Sequence, residues 1–106
     1  MEETYVIVLV TTGSKQEAEK IARHLINERL IACANIIGPV SSLFHWSGKI
    51  EHAEEYLMLL KSRMSLFHTL AEAVKAFHSY EVPEILVLPV IGGSEVYLNW
   101  LRSCLS

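Results

Sequence analysis

The sequence predicts an α+β domain, a four-stranded antiparallel sheet with two helices on one face, in the order β-α-β-β-α-β, and a further helix appended at the C-terminus. Three observations predict it. Runs of β-branched and aliphatic residues alternate with stretches in which apolar residues recur every three to four positions. A tight-turn signal, Trp46-Ser47-Gly48-Lys49, sits between two long extended segments. With 106 residues there is room for one core only, so 1–106 reads as a single domain. This order is the split βαβ, or ferredoxin-like, fold, in which right-handed crossovers place both long helices on the same face.

The first strand is Thr4 to Thr12, apolar on both faces. Gly13 breaks it, and Ser14-Lys15-Gln16-Glu17 has the S-x-x-E spacing of a capping box. A helix over 15–29 follows, with Ala18, Ile21, Ala22, Leu25 and Ile26 on the buried stripe. Residues 31–46 return to strand chemistry, and Gly38-Pro39 predicts a bulge or bend there. The hairpin returns over 49–61. Ser65 opens a second helix with Phe67, Leu70, Ala71, Val74 and Phe77 on one face. Pro83 drives Val82 out of the helical region. Ile85 to Val90 is the fourth strand, and Pro89, lacking an N–H, places it at or near an edge. Gly92-Gly93 turns the chain and Ser94 caps the last helix.

Composition excludes several classes. Hydrophobic residues are 51%, too many for intrinsic disorder, yet no apolar run approaches the ~20 residues of a membrane span. Nine Lys and Arg against twelve acidic residues give a net charge of -3, which argues against nucleic-acid binding. Every acidic residue is Glu, so an Asp-based triad or calcium loop is excluded. The start Met1-Glu2-Glu3 lacks a basic leader, and a cytoplasmic location is expected.

The pattern also predicts self-association. A sheet covered on one face should alternate apolar and polar residues, but Tyr5–Val10, Tyr56–Leu60 and Ile85–Leu88 are continuously apolar. The second face has a footprint on the order of 300 Å². Hiding it contributes about 8 kcal/mol or more. The last helix covers part; another copy of the chain is expected to cover the rest.

Candidate chemistry is sparse. His78 closes the second helix beside Ser79-Tyr80-Glu81 and reads either as a cation on the helix dipole or as a soft-metal or small-ligand contact. Cys33 reads either as a small buried hydrophobe or as a thiolate ligand. Cys104 reads as packing. His52 shares a strand face with Glu54 and Tyr56, a polar strand end or part of a metal site. The Thr11-Thr12-Gly13-Ser14 turn has the form of an anion site but no arginine, which weakens the runner-up reading, a small phosphate-ester or acyl-phosphate hydrolase. An RNA-binding module ranks last, because the central strands carry Val, Ile and Leu where stacking aromatics would be needed.

Five blocks carry a resemblance: Leu30-Ile31-Ala32-Cys33-Ala34-Asn35, Trp46-Ser47-Gly48-Lys49-Ile50-Glu51, Leu60-Lys61-Ser62, His78 to Ile85, and Tyr97-Leu98-Asn99-Trp100-Leu101. In this order the chain resembles the CutA family of divalent-cation tolerance proteins. The resemblance implies a tight homotrimer of PII-like architecture, no enzymatic activity, and a role in tolerance of or response to copper or another divalent cation. It further implies metal or small-ligand binding at subunit interfaces, with His78 at a family ligand position and a cleft of Lys61, Tyr80, Glu81 and Trp100; Cys33 is the second candidate metal ligand, on condition that the fold brings it near. The chain departs from the family at three points. It has His78-Ser79-Tyr80 where His-Pro-Tyr is common, and of the three copper-ligand positions two carry Val10 and Phe77, while His78 is kept. The partners implied are further copies of the chain and a divalent cation, with neither nucleic acid nor membrane.

Overall fold

The computed structural model describes residues 3–106. Its elements follow the expected order. They are β1 (Tyr5–Thr12), α1 (Lys15–Asn27), β2 (Cys33–Trp46), β3 (Lys49–Arg63), a 3-10 turn (Met64–Leu66), α2 (Phe67–Phe77), β4 (Ile85–Val90) and α3 (Glu95–Cys104). The sheet order is β2-β3-β1-β4 with every pairing antiparallel. β4 is an edge strand, as Pro89 requires.

Strand alternation divides the sheet. The inner face presents Val6, Val8, Val10, Met58 and Leu60, all buried against Ala18, Ile21 and Leu25 of α1 and Leu70 and Val74 of α2. Two residues of the expected helix stripes fall outside this core. Ile26 is 45% exposed, and Phe77 is 40% exposed and packs against His24 with ring centroids 4.2 Å apart and the rings tilted by 46°. Both lie in the last helical turn, at the margin of the buried stripe. The second helix also starts two residues later than Ser65 suggests, because a 3-10 turn occupies Met64–Leu66.

The β2–β3 hairpin closes over Ser47 (φ 51) and Gly48 (φ 74). Two positive φ values are the two-residue turn whose twist matches its strands. The expected irregularity at Gly38-Pro39 is a register shift between Ile37 and Val40, and the Gly38–Pro39 peptide is cis. Gly38 is needed for space: an added Cβ would lie 2.4 Å from Cδ2 and 2.9 Å from Cγ of the Tyr56 ring. Gly38→Ala is expected to lower unfolding stability by about 1–3 kcal/mol, read by urea denaturation. The hairpin extends the molecule to 45 Å against 26 and 22 Å in the other directions.

The outer face is defined by the rows Cys33–Lys61–Ile7–Leu88, Asn35–Leu59–Leu9–Leu86 and Ile37–Leu57–Thr11. Leu86 is 56% exposed and Ile37 48%. One end of this face is covered by α3, whose Leu101 is buried. The end of α3 is tied to the end of α1: Ser106 N–H donates to the Arg29 carbonyl (3.0 Å) and the Arg29 guanidinium to the Cys104 carbonyl (3.4 Å). Leu86, Leu88 and Ile37 on the rest of the outer face stay exposed among the described residues.

Candidate functional site

The candidate residues form two groups at opposite ends of the sheet. The first lies under α3. Cys33 and Lys61 are cross-strand partners on the outer face. The Lys61 ammonium is 5.9 Å from the Tyr97 ring centroid, Cys33 Sγ is 4.0 Å from the Tyr97 hydroxyl, and the Tyr97 and Trp100 rings are 5.5 Å apart. Ser94 caps α3 by accepting from Tyr97 N–H, which sets the first turn and so aims Tyr97 and Trp100. Cys33 and Cys104 are free thiols.

The second group surrounds the loop after α2. The His78 side chain has no exposed surface. Its Nε2–H donates to the Thr11 carbonyl (2.7 Å), and its Nδ1 accepts from Tyr80 N–H (3.0 Å). The carbonyl partner fixes the tautomer, leaving the one lone pair on Nδ1. Ser79 donates to Glu17 twice, through N–H (2.6 Å) and the hydroxyl (3.0 Å). Proline at this position would make neither bond. The expected capping box is therefore half formed: Ser14 Oγ accepts from Glu17 N–H (3.1 Å), but the Glu17 carboxylate is turned to Ser79. Tyr80 Oη donates to Glu55 (2.7 Å), a carboxylate residue only 8% exposed. Glu81 projects from the loop, exposed.

Burial, and then the hydrogen bond and charge of Glu55, push the Tyr80 phenol up to about 12. A raised phenol pKa favours the protonated form in the fold. Its contribution is full below about pH 10, the unfolded value, and is lost as pH rises toward about 12. Thermal melts between pH 9 and 12 are expected to show a loss of stability that Tyr80→Phe reduces.

Lys61 and Trp100 thus stand with Cys33 in the first group, and Tyr80 and Glu81 stand with His78 in the second. Thr11 and Ile7, the β1 residues nearest each group, are four residues apart, about 13 Å. One subunit does not bring Cys33 to His78. Among the described residues no three His, Cys, Asp or Glu side chains converge as a metal site. Sequence reasoning missed Glu17, Glu55 and Tyr97. Two surface hollows, about 440 and 480 Å³, lie at the end of α1 beside Arg23, His24, Arg29 and Ser103. They are open and touch neither group, so the side-chain chemistry locates the site better than they do.

A family model described as CutA1 divalent ion tolerance protein matches residues 6–104. The chain belongs to the CutA1 family. It is 44% identical over 96 residues to the divalent-cation tolerance protein CutA of Thermus thermophilus, covering 91% of this chain and 93% of that protein. It is 40% identical to the chloroplastic protein CutA of Arabidopsis thaliana over 92% of this chain, but spans only 54% of that relative's length. The solved divalent cation tolerance protein of Thermus thermophilus superposes with a TM-score of 0.94 at 41% identity, covering 96% of this chain and 99% of that one. The ferredoxin-like βαββαβ architecture with its C-terminal helix is that of CutA1. No helix among the described residues is long and apolar enough to cross a membrane. The chloroplastic relative shows that CutA1 proteins are not confined to the cytoplasm.

Proposed function

We propose that this CutA1 chain acts as a non-enzymatic, cytoplasmic homotrimer in the response to divalent cations, copper among them, and that its ligand site lies in the seams between subunits. The observation that carries the reading is the separation of the two groups along a sheet that α3 covers only at one end of its outer face. A cyclic trimer joins unlike surfaces, so the α3 end of one copy meets the His78 loop of the next. Each seam then holds Cys33, Lys61 and Trp100 from one copy and His78, Tyr80 and Glu81 from its neighbour. Neither half is a site alone.

For a metal the donor set is small. His78 has a single lone pair, on Nδ1, and Cys33 adds one thiol. A borderline cation such as Cu²⁺ would take Nδ1 in place of Tyr80 N–H, freeing the loop that carries Tyr80 and Glu81. The cation is cargo or signal here, not a resident cofactor. Hydrolysis of a phosphate ester or acyl phosphate has less support, because the turn after β1 holds Lys15 and no arginine, and the Tyr80 ring packs against Gly13 within it.

Calorimetric titration with Cu²⁺ tests the metal assignment. Binding of one ion per chain is expected, weakened at least tenfold by His78→Ala or by Cys33→Ala. Equal binding by both variants and the parent would remove these residues from the site.

A further inference from the structure

The far end of α3 is tied to the body of the subunit by Arg29, a residue in a strained backbone position. α1 finishes in a tight turn: Arg29 N–H donates to the Ile26 carbonyl (3.0 Å) and Leu30 N–H to the Leu25 carbonyl (2.9 Å). These two bonds make the helix stop that glycine favours, because the residue after the cap takes a positive φ. Here that residue is Arg29, with φ 56. Glycine would adopt this conformation without strain, so the arginine side chain answers a need outside the turn. Its guanidinium donates to the Cys104 carbonyl at the end of α3 (3.4 Å), and its own carbonyl accepts from Ser106 N–H (3.0 Å). The stretch just after Arg29 is fixed to β3: the Leu30 carbonyl accepts from the Ser62 hydroxyl (2.7 Å), and Ala32 N–H donates to the Lys61 carbonyl (2.8 Å). Arg29 therefore joins the anchored segment that leads into Cys33 to the last residues of α3.

α3 is otherwise lightly held. It follows β4 through Ile91-Gly92-Gly93-Ser94, where Ile91 is fully exposed and the glycine pair supplies a pivot. Its ten residues span ~15 Å. Leu101 is its buried side chain, and Leu105 is buried just beyond it. Tyr97 and Trp100, between the pivot and the far end, stay exposed, yet Tyr97 is the ring that stands over Cys33 and Lys61.

We propose that Arg29 is a positioning residue, a clasp that pins the far end of α3 and so sets Tyr97 and Trp100 over Cys33 and Lys61. Its effect on ligand binding rests on reading these residues as half of the ligand site; the clasp itself does not. With the clasp open, α3 swings on Gly92-Gly93 and Cys33 loses its cover.

Alkylation of Cys33 by iodoacetamide, followed at that residue by peptide mass spectrometry, tests the clasp in the intact protein. Arg29→Gly keeps the turn and relieves its strain, so the far-ultraviolet circular dichroism stays that of the parent, while Cys33 is expected to react about fivefold faster or more through local opening. Arg29→Ala loses the same donors but keeps the strain, and is expected to match it. Arg29→Lys keeps a cationic donor on a long stem and is expected to stay within about twofold of the parent. Equal rates in the parent, Arg29→Gly and Arg29→Ala would overturn the clasp. A faster rate in Arg29→Ala alone would also overturn it, because the effect would then lie in the backbone turn. Titration with Cu²⁺ separates the clasp from the site reading. Binding by the parent that Arg29→Gly weakens at least threefold is expected. Equal binding, with the Cys33 rate raised, would overturn the role of Arg29 in the site. A parent that binds no Cu²⁺ would overturn the metal reading alone, and the thiol rates would still decide the clasp.

Discussion

Leu59→Glu is expected to turn the assembled protein into folded monomers. Leu59 lies in the middle row of the outer face, between Asn35 of β2 and Leu9 of β1, with Leu86 beyond. Leu59 is half-buried in the lone subunit, so a carboxylate there keeps part of its hydration and costs less than in the assembly. In the assembly it would be stripped of water with Leu9 and Leu86 in its row and no cation beside it there, a penalty of several kcal/mol per ion. A trimer would carry that penalty three times. The expected result is a single slow-sedimenting species at micromolar concentration with an unchanged far-ultraviolet circular dichroism spectrum. An assembled Leu59→Glu protein would place the subunit interface elsewhere.

The adjacent residue gives the opposite result. Leu60 points to the inner face, is fully buried, and pairs with Val8 across the sheet. It belongs to the core that includes Ile21, Leu25, Leu70 and Val74. Leu60→Ala is expected to lower unfolding stability by about 2–5 kcal/mol, the lost transfer energy plus the cavity. Denaturation should be followed in the monomeric Leu59→Glu background, where dissociation does not contribute. Together the two variants separate the sheet's two apolar faces, one holding the fold and the other holding the assembly.

Much of this was legible in the residues. Continuous apolar strands, two helical stripes and the Ser47-Gly48 turn determine the order of elements, and Pro89 marks the edge strand. Ile26 and Phe77 were misread because periodicity gives a direction around a helix, not how deeply each residue on that face is covered. The site was harder. The Ser79–Glu17 bonds join residues 62 positions apart, and Tyr80–Glu55 joins residues 25 apart. No local pattern encodes either contact. The capping box shows how this misleads: its spacing identified Ser14 correctly, but a distant N–H claimed the glutamate. Cys33 and His78 were chosen by residue type, and only the strand register showed them to be at opposite ends. Lys61 and Tyr97 come together because β3 and the cap of α3 orient them, which composition does not reveal.

The most direct test of this account is the mass of the unmodified protein in dilute solution, measured by native mass spectrometry or sedimentation below micromolar concentration. One species at three times the 12.0 kDa chain mass is expected. Folded particles of 12.0 kDa that persist as concentration rises would contradict it, because the outer face would then be stable in water and the two half-sites would never meet.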